Sequence, residues 1–108
     1  MMTVKWFVAA SGDLDKIYDY YVKLNARAAA ILYNRILDET KILKTNPYIA
    51  AIEQSLIDCS EEYRSLIVAK GRYQVVYFIK NNTVLIVQVF DCRQAPAKLK
   101  RRTLKRNR

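Results

Sequence analysis

Hydrophobic and polar residues alternate at the start of the chain and then change to a helical spacing. The alternation in residues 3–8 predicts a short strand. Apolar residues three and four positions apart then predict a helix over residues 13–24, which Ser11 can cap. Asn25 is placed to cap a second helix that continues to about Thr45. Because so short a join links them, the two helices are expected to form an antiparallel hairpin.

The second half of the chain has the composition of β-strands. Residues 47–60 show no clear period and predict a loop with a turn of helix. Three runs rich in Val, Ile, Tyr and Phe follow, and they predict consecutive antiparallel strands over residues 63–69, 72–80 and 83–90. The pair Asn81–Asn82 predicts a two-residue turn between the last two strands, because Asn tolerates a positive φ. The last run is apolar on both faces and predicts an interior strand.

This order of elements predicts an α+β fold: one strand, an antiparallel helix hairpin and a three-stranded antiparallel meander. The two helices are expected to pack on one face of a mostly antiparallel sheet. A chain of 108 residues is long enough for one domain, to which we assign residues 1–97. Residues 98–108 contain only two apolar anchors, Leu99 and Leu104. They are predicted to form a basic tail that is frayed on its own and could become a basic helix on binding.

Charge is unevenly distributed along the chain. Of a net charge of +9, residues 55–108 contribute +8, from 12 basic and 4 acidic residues. The asymmetry predicts a polyanionic partner, either nucleic acid or an acidic polypeptide, although a solubilising tail has the same signature. No apolar run approaches the roughly 20 residues that cross a bilayer. The sequence therefore predicts a cytoplasmic protein with no membrane partner.

The sequence contains no histidine. Catalytic triads, Cys–His dyads and histidine-containing zinc sites all need an imidazole, and these classes of site are therefore excluded. The two cysteines, Cys59 and Cys92, are expected to pack as small apolar groups in a reducing compartment. No metal and no cofactor is expected, since a chain of this size can fold around its own core.

Several short motifs occur in a characteristic order between Val4 and Leu99. They are Asp13-Leu-x-x-Ile17-x-x-Tyr20, Asn46-Pro47, Tyr63-Arg64-Ser-Leu66, Gly71-Arg-Tyr73-x-Val-Val-Tyr77, Val87-x-Val89-Phe-Asp-x-Arg93-Gln94 and Pro96. No single motif is specific, but the ordered set resembles the RelE/ParE superfamily of bacterial toxins. The resemblance is strongest to the ParE-like, plasmid-stabilisation branch.

The resemblance implies a toxin of a type II toxin–antitoxin module, neutralised by a cognate antitoxin. RelE-like members cut messenger RNA in the ribosomal A site, whereas ParE-like members inhibit DNA gyrase on the same fold. Three positions depart from the RelE pattern: Gln74 replaces an arginine, Leu99 lies near the place of a tyrosine, and Asp91 replaces a histidine. These departures favour gyrase inhibition. The alternatives are a metal-independent, ribosome-dependent endoribonuclease and a non-toxic regulatory homologue.

Two overlapping sets of side chains are candidates for function. Cleavage of RNA needs a base, an acid and cations that stabilise the phosphorane. The candidates for these roles are Arg64, Arg72, Tyr77, Asp91 and Arg93. The candidates for binding of the target are Arg64, Lys70, Arg72, Arg93, Gln94, Lys98, Arg101 and Arg102.

Structural roles are open for several of these residues. Asp91 and Arg93 lie two positions apart, so that they can pair on one face of a strand. An acidic residue such as Asp91 or Glu53 could act as a general base, but more often such a residue pairs with an arginine. Arg64 has three candidate partners for a structural salt bridge: Glu61, Glu62 and Asp91.

Overall fold

The computed structural model describes residues 1–107 and contains a five-stranded sheet with helices on both faces. The strands and helices are β1 (Thr3–Trp6), α1 (Val8–Val22), α2 (Ala26–Thr40), β2 (Ala51–Ile52), β3 (Arg64–Val68), β4 (Tyr73–Lys80), β5 (Thr83–Asp91) and α3 (Ala97–Arg106). The strand order is β1-β5-β4-β3-β2, in which β1 is parallel to β5 and the other pairs are antiparallel. The predicted α+β fold is confirmed. None of the helices in residues 1–107 is long and apolar enough to cross a membrane.

The helix hairpin formed by α1 and α2 packs on one face of the sheet, as predicted. Leu14 and Ile36 are buried there against Val75 and Ile86 of the central strands. The predicted cap of α2 is also confirmed, since the side-chain oxygen of Asn25 accepts a hydrogen bond of 3.0 Å from the backbone of Ala28.

The predicted start of α1 was wrong, and the last turn of the second predicted helix is 3-10 and not α-helical. Helix α1 begins at Val8 with Phe7 as its N-cap, so that Ser11 lies inside the helix. The amide of Phe7 donates to the carbonyl of Ile86, 2.8 Å away, and the Phe7 ring packs edge-on against Phe78. These tertiary contacts turn the chain directly from strand to helix. Helix α2 ends at Thr40 and continues as a single 3-10 turn over Lys41–Lys44.

The turns of the meander follow the sequence prediction closely. Asn81 and Asn82 both have positive φ, 51° and 59°, as a two-residue hairpin turn requires. The turn between β3 and β4 also uses three residues with positive φ, Ala69, Lys70 and Gly71. β5 is an interior strand, as predicted, and lies between β1 and β4. Residues 47–60 contain the predicted turn of helix. They also contain the short strand β2, which was not predicted.

The segment expected to be a frayed tail forms a third helix on the opposite face of the sheet. In α3, Leu99 is 3% exposed and Thr103 is fully buried. The buried side chain of Gln88 on β5 donates to the carbonyl oxygen of Leu99 at 2.9 Å and to the hydroxyl of Thr103 at 2.6 Å. Residues 97–106 pack on the sheet as a helix because β5 offers them the side-chain amide of Gln88 and an apolar surface. Arg108, the last residue of the expected tail, lies outside the described residues.

A bidentate ion pair joins α3 to α1 around the edge of β5. The guanidinium of Arg106 donates to both carboxylate oxygens of Asp13, at 2.6 and 2.8 Å. The same carboxylate accepts the amide of Val89 at 3.0 Å, and Arg106 also donates to the carbonyl of Val87 at 3.2 Å. β1 pairs with β5 only as far as Ile86. The Asp13–Arg106 clasp therefore satisfies the backbone groups that the sheet leaves open.

Candidate functional site

Two arginines from different parts of the chain meet at the hydroxyl of a tyrosine on α1. Arg72 precedes β4, Arg93 follows β5, and one terminal guanidinium nitrogen of each donates to the hydroxyl of Tyr21. Tyr73 and Asp91 face each other across β4 and β5 beneath these arginines. We call these five residues the arginine cluster. It brings together three of the candidate catalytic residues, Arg72, Asp91 and Arg93.

Asp91 and Arg93 form the predicted ion pair. Nε and Nη2 of Arg93 lie 3.1 and 2.9 Å from the two carboxylate oxygens, and the backbone amide of Arg93 donates to the same group at 2.9 Å. The side-chain hydrogen bonds from Arg93 hold the pKa of Asp91 below its usual value, although partial burial opposes them. Asp91 is therefore an ionised acceptor that orients Arg93, and it is poorly suited to act as a general base near neutral pH.

The two tyrosines of the cluster have pKa values shifted in opposite directions. Burial, with the hydrogen bond to Tyr21, raises the pKa of Tyr73 to about 12. Burial also acts to raise the pKa of Tyr21, but the hydrogen bonds from Tyr73 and Arg93 and the charges of both arginines outweigh it and lower that pKa. Tyr21 is thus a more acidic phenol than usual, and its hydroxyl accepts hydrogen bonds from both guanidinium groups. Tyr21 was not among the candidate residues, because its contacts with Arg72 and Arg93 come from elements 51 and 72 positions later in the chain.

A cleft of about 340 Å³ opens beside the cluster, between α1, the end of β5 and α3. Gln94 and Arg102, two of the candidates for target binding, line this cleft together with Arg93. The guanidinium of Arg102 donates to the side-chain oxygen of Gln94, 3.1 Å away. Arg102 lines the cleft because residues 97–106 form the helix α3. The cleft was therefore not predicted from a segment that was expected to be frayed.

Two other candidates lie away from the cluster and are held in the structure by bonds to loop carbonyls. Arg64 donates to the carbonyl of Ala50 at 2.7 Å and forms its salt bridge with Glu62 at 3.1 Å. The buried hydroxyl of Tyr77 donates to the carbonyl of Pro47 at 2.6 Å. Arg64 lies opposite Tyr77, in the middle of β4, whereas the cluster lies at the start of β4. The two places are four residues apart along the strand, or about 13 Å.

Gln74 and Glu53 belong to a polar network on the face opposite α1 and α2. One carboxylate oxygen of Glu53 accepts from Ser65 at 2.8 Å and from Gln74 at 3.0 Å, and the other accepts from the hydroxyl of Ser55 at 2.7 Å. Burial acts to raise the pKa of Glu53, but these hydrogen bonds outweigh it and the pKa is lowered. Glu53 therefore accepts hydrogen bonds that hold the fold together. From the sequence it was a candidate general base.

The remaining candidates are cations at the same end of the sheet as the cluster. Lys70 is exposed in the β3–β4 turn, and Lys98 and Arg101 lie in the first turns of α3. In residues 1–107 none of these three forms an ion pair, in contrast to Lys100, whose amino group lies 2.8 Å from the carboxylate of Asp58. The described residues include no group of three His, Cys, Asp or Glu side chains that could hold a metal.

Comparisons with known proteins agree with the sequence resemblance. Residues 4–96 match the family described as the ParE toxin of type II toxin–antitoxin system, parDE. A solved structure described as the chromosomal ParDE TA system from P. aeruginosa is similar, with a TM-score of 0.71 and 25% sequence identity, over 84% of this chain and 96% of that chain. The search of curated proteins found no match.

Proposed function

We infer that this chain, which belongs to the ParE toxin family of type II toxin–antitoxin systems, arrests bacterial growth by inhibiting DNA gyrase. The inhibition is non-catalytic: the toxin binds its target and cleaves no bond. A cognate antitoxin neutralises it, and both proteins act in the cytoplasm. The proposal includes a role in plasmid stabilisation, as the sequence resemblance implies.

The observation that carries the proposal is that the candidate catalytic residues are divided between two places and are bonded within the fold. Arg64 and Tyr77 donate to the carbonyls of Ala50 and Pro47, beside the middle of β4. Asp91 and Arg93 pair with each other beside the start of β4. A ribonuclease needs a base, an acid and a cation around one phosphate. This division supports a toxin that binds its target, and it is unfavourable to one that cleaves RNA.

The position of the RelE-type arginine provides separate support. Gln74 occupies it, and its amide donates to the carboxylate of Glu53 at 3.0 Å. Gln74 thus lies beside an anionic carboxylate, which would repel the phosphate of a messenger RNA. This face of the sheet therefore supports the gyrase proposal over the ribonuclease alternative.

We place the surface that contacts the target at the end of the sheet where the cluster lies. It comprises Lys70, Arg72, Arg93, Gln94, Lys98, Arg101 and Arg102. These residues carry six of the positive charges that give the second half of the chain its net charge. Apart from Arg93, which pairs with Asp91, none of these cations forms an ion pair within residues 1–107. Such cations are available to an acidic surface and accelerate its association at low ionic strength. Arg64 is left out of this surface because the fold uses it internally.

The antitoxin is proposed to bind elsewhere, mainly on the helix hairpin. Leu24, in the turn between α1 and α2, and Ile31 of α2 are exposed apolar residues, at 70% and 58%. Apolar side chains that a monomer leaves exposed are characteristic of surfaces that bind other proteins. Acidic residues of the antitoxin would additionally face the basic second half of the chain.

Expression of this chain alone is expected to stop bacterial growth, with DNA-damage signalling and filamentation before any loss of messenger RNA. The physical reason is that poisoned gyrase stalls replication while the message pool is still intact. Induced cells are followed by a damage-response reporter, by microscopy and by RNA sequencing. Early message cleavage with intact replication would favour the endoribonuclease. Normal growth at verified soluble expression would favour the non-toxic regulatory homologue.

The substitution Arg93→Ala is expected to weaken toxicity without preventing antitoxin binding. It removes an exposed fork of donors, and loss of one such charge-assisted contact weakens affinity for a target about tenfold. Growth after induction and affinity for purified gyrase are measured. Arg35→Ala is the matched control, because Arg35 is also exposed and paired with a nearby carboxylate, that of Glu39 at 3.0 Å. Equal toxicity of both folded variants would remove Arg93 from the target surface.

A further inference from the structure

The cleft between α1 and α3 has a surplus of positive charge. Its two carboxylates each have an arginine partner, Asp13 with Arg106 and Asp91 with Arg93. Two more cations line the cleft, Lys16 from α1 and Arg102 from α3. Within residues 1–107 neither has a carboxylate partner, and Arg102 bonds only to the amide of Gln94. The cleft can therefore accept about two negative charges.

An exposed aromatic ring stands beside these cations. Tyr20 lines the cleft and is 64% exposed, and its ring meets that of Tyr21 edge-on with 4.9 Å between centroids. The contact orients the Tyr20 ring and leaves much of it open to solvent. An exposed tyrosine beside cations is the arrangement that stacks nucleobases while their phosphates are bound.

We propose that this cleft binds a nucleotide, with its phosphate on Lys16 and Arg102 and its base on Tyr20. A terminal phosphate carries about two negative charges near neutral pH, which matches the two unpaired cations. The volume of about 340 Å³ lies within the range of small-molecule sites, roughly 300–1,000 Å³. An acidic peptide would satisfy the cations but would give the Tyr20 ring no planar partner. The nucleotide is either free or the 5′-phosphorylated end of a strand.

The test is titration of the ¹⁵N-labelled full chain, followed by NMR, with ADP, adenosine, pyrophosphate and a short 5′-phosphorylated oligodeoxynucleotide. ADP is expected to give saturable shifts at the amides of Lys16, Tyr20, Gln94 and Arg102. Adenosine should bind at least about tenfold more weakly, since it lacks the charge-assisted bonds. If the phosphorylated oligonucleotide gives the same shifts and its unphosphorylated form does not, the site accepts strand ends. Binding of ADP alone identifies a free nucleotide.

Variants separate this site from general basicity. Lys16→Ala and Arg102→Ala are each expected to weaken ADP binding about tenfold. Lys105→Ala is the matched control: it removes one positive charge from the same helix, but Lys105 does not line the cleft, so affinity for ADP should be unchanged. Tyr20→Leu should weaken ADP binding and leave pyrophosphate binding as it was.

Four results would overturn the proposal. They are shifts that do not saturate, shifts on the outer face of α3 in place of the cleft, an equal loss with Lys105→Ala, and binding of a tetraglutamate peptide in the cleft without binding of ADP. None of these measurements depends on toxicity, so they test the nucleotide site separately from the proposed inhibition of gyrase.

Discussion

Deletion of residues 98–108 is expected to unfold the chain at room temperature. The deletion removes Leu99 from the core and takes both hydrogen-bond acceptors from the buried amide of Gln88. It also removes Arg106 from the clasp with Asp13. An uncovered apolar face and an uncompensated carboxylate together approach the whole stability of a small domain, about 5–15 kcal/mol. Circular dichroism and the fluorescence of Trp6, the only tryptophan, report the loss.

A single substitution in α3 gives a graded version of the same test. Leu99→Ala is expected to lower the free energy of unfolding by about 3 kcal/mol, as for other buried leucines. Leu104→Ala, on the same helix but 50% exposed, should change it by less than about 0.5 kcal/mol. Urea unfolding of both variants makes the comparison. If the deleted chain and the Leu99→Ala variant are both as stable as the parent, residues 98–108 form a separate tail, as predicted from the sequence.

Asp13→Ala is expected to destabilise the fold by about 3 kcal/mol, because it leaves the Arg106 guanidinium without its partner in a mostly buried site. The two side chains are 11% and 18% exposed. The amide of Val89 also loses its acceptor. The double variant with Asp13→Ala and Arg106→Ala should lose less free energy of unfolding than the two single variants lose in sum. The difference is the coupling energy of the clasp.

The exposed ion pair of Asp38 and Lys41 is the matched control for this cycle. Its nitrogen and oxygen are 3.1 Å apart, and both side chains are about 70% exposed. Such pairs contribute between 0 and about 1 kcal/mol, so the same double-variant cycle should give a coupling near zero. Additive losses at Asp13 and Arg106 would mean that the clasp does not hold α3 in place.

The sequence predicted those parts of the fold that local chemistry decides. The Asn81–Asn82 turn follows from the tolerance of Asn for positive φ, and the cap at Asn25 follows from its side-chain oxygen. The start of α1 could not be predicted in this way. It depends on Phe7, whose amide and ring are both fixed by strands that come some 70 residues or more later in the chain.

The packing of α3 on the sheet was missed because its main contact is polar and lies in another element. Thr103 counts as a polar residue in any search for apolar anchors, yet it is fully buried against Gln88. A glutamine inside the otherwise apolar run of β5 was the available signal that something polar covers that face. The candidate site was predicted in part. Asp91 and Arg93 were paired from their spacing, whereas Tyr21 and the cleft follow from tertiary packing alone.

The arrangement of β1 and the clasp has a consequence for how the protein is made. Thr3 pairs with Thr83, and Asp13 pairs with an arginine 93 positions later. Pairing of segments so distant in sequence folds slowly, because the loop between them must be closed before its contacts form. On the ribosome, β1 therefore has no partner until β5 has been synthesised and has emerged. We expect the nascent chain to be inert until α3 has been synthesised, since Lys98, Arg101 and Arg102 of the surface proposed to contact the target lie in that helix.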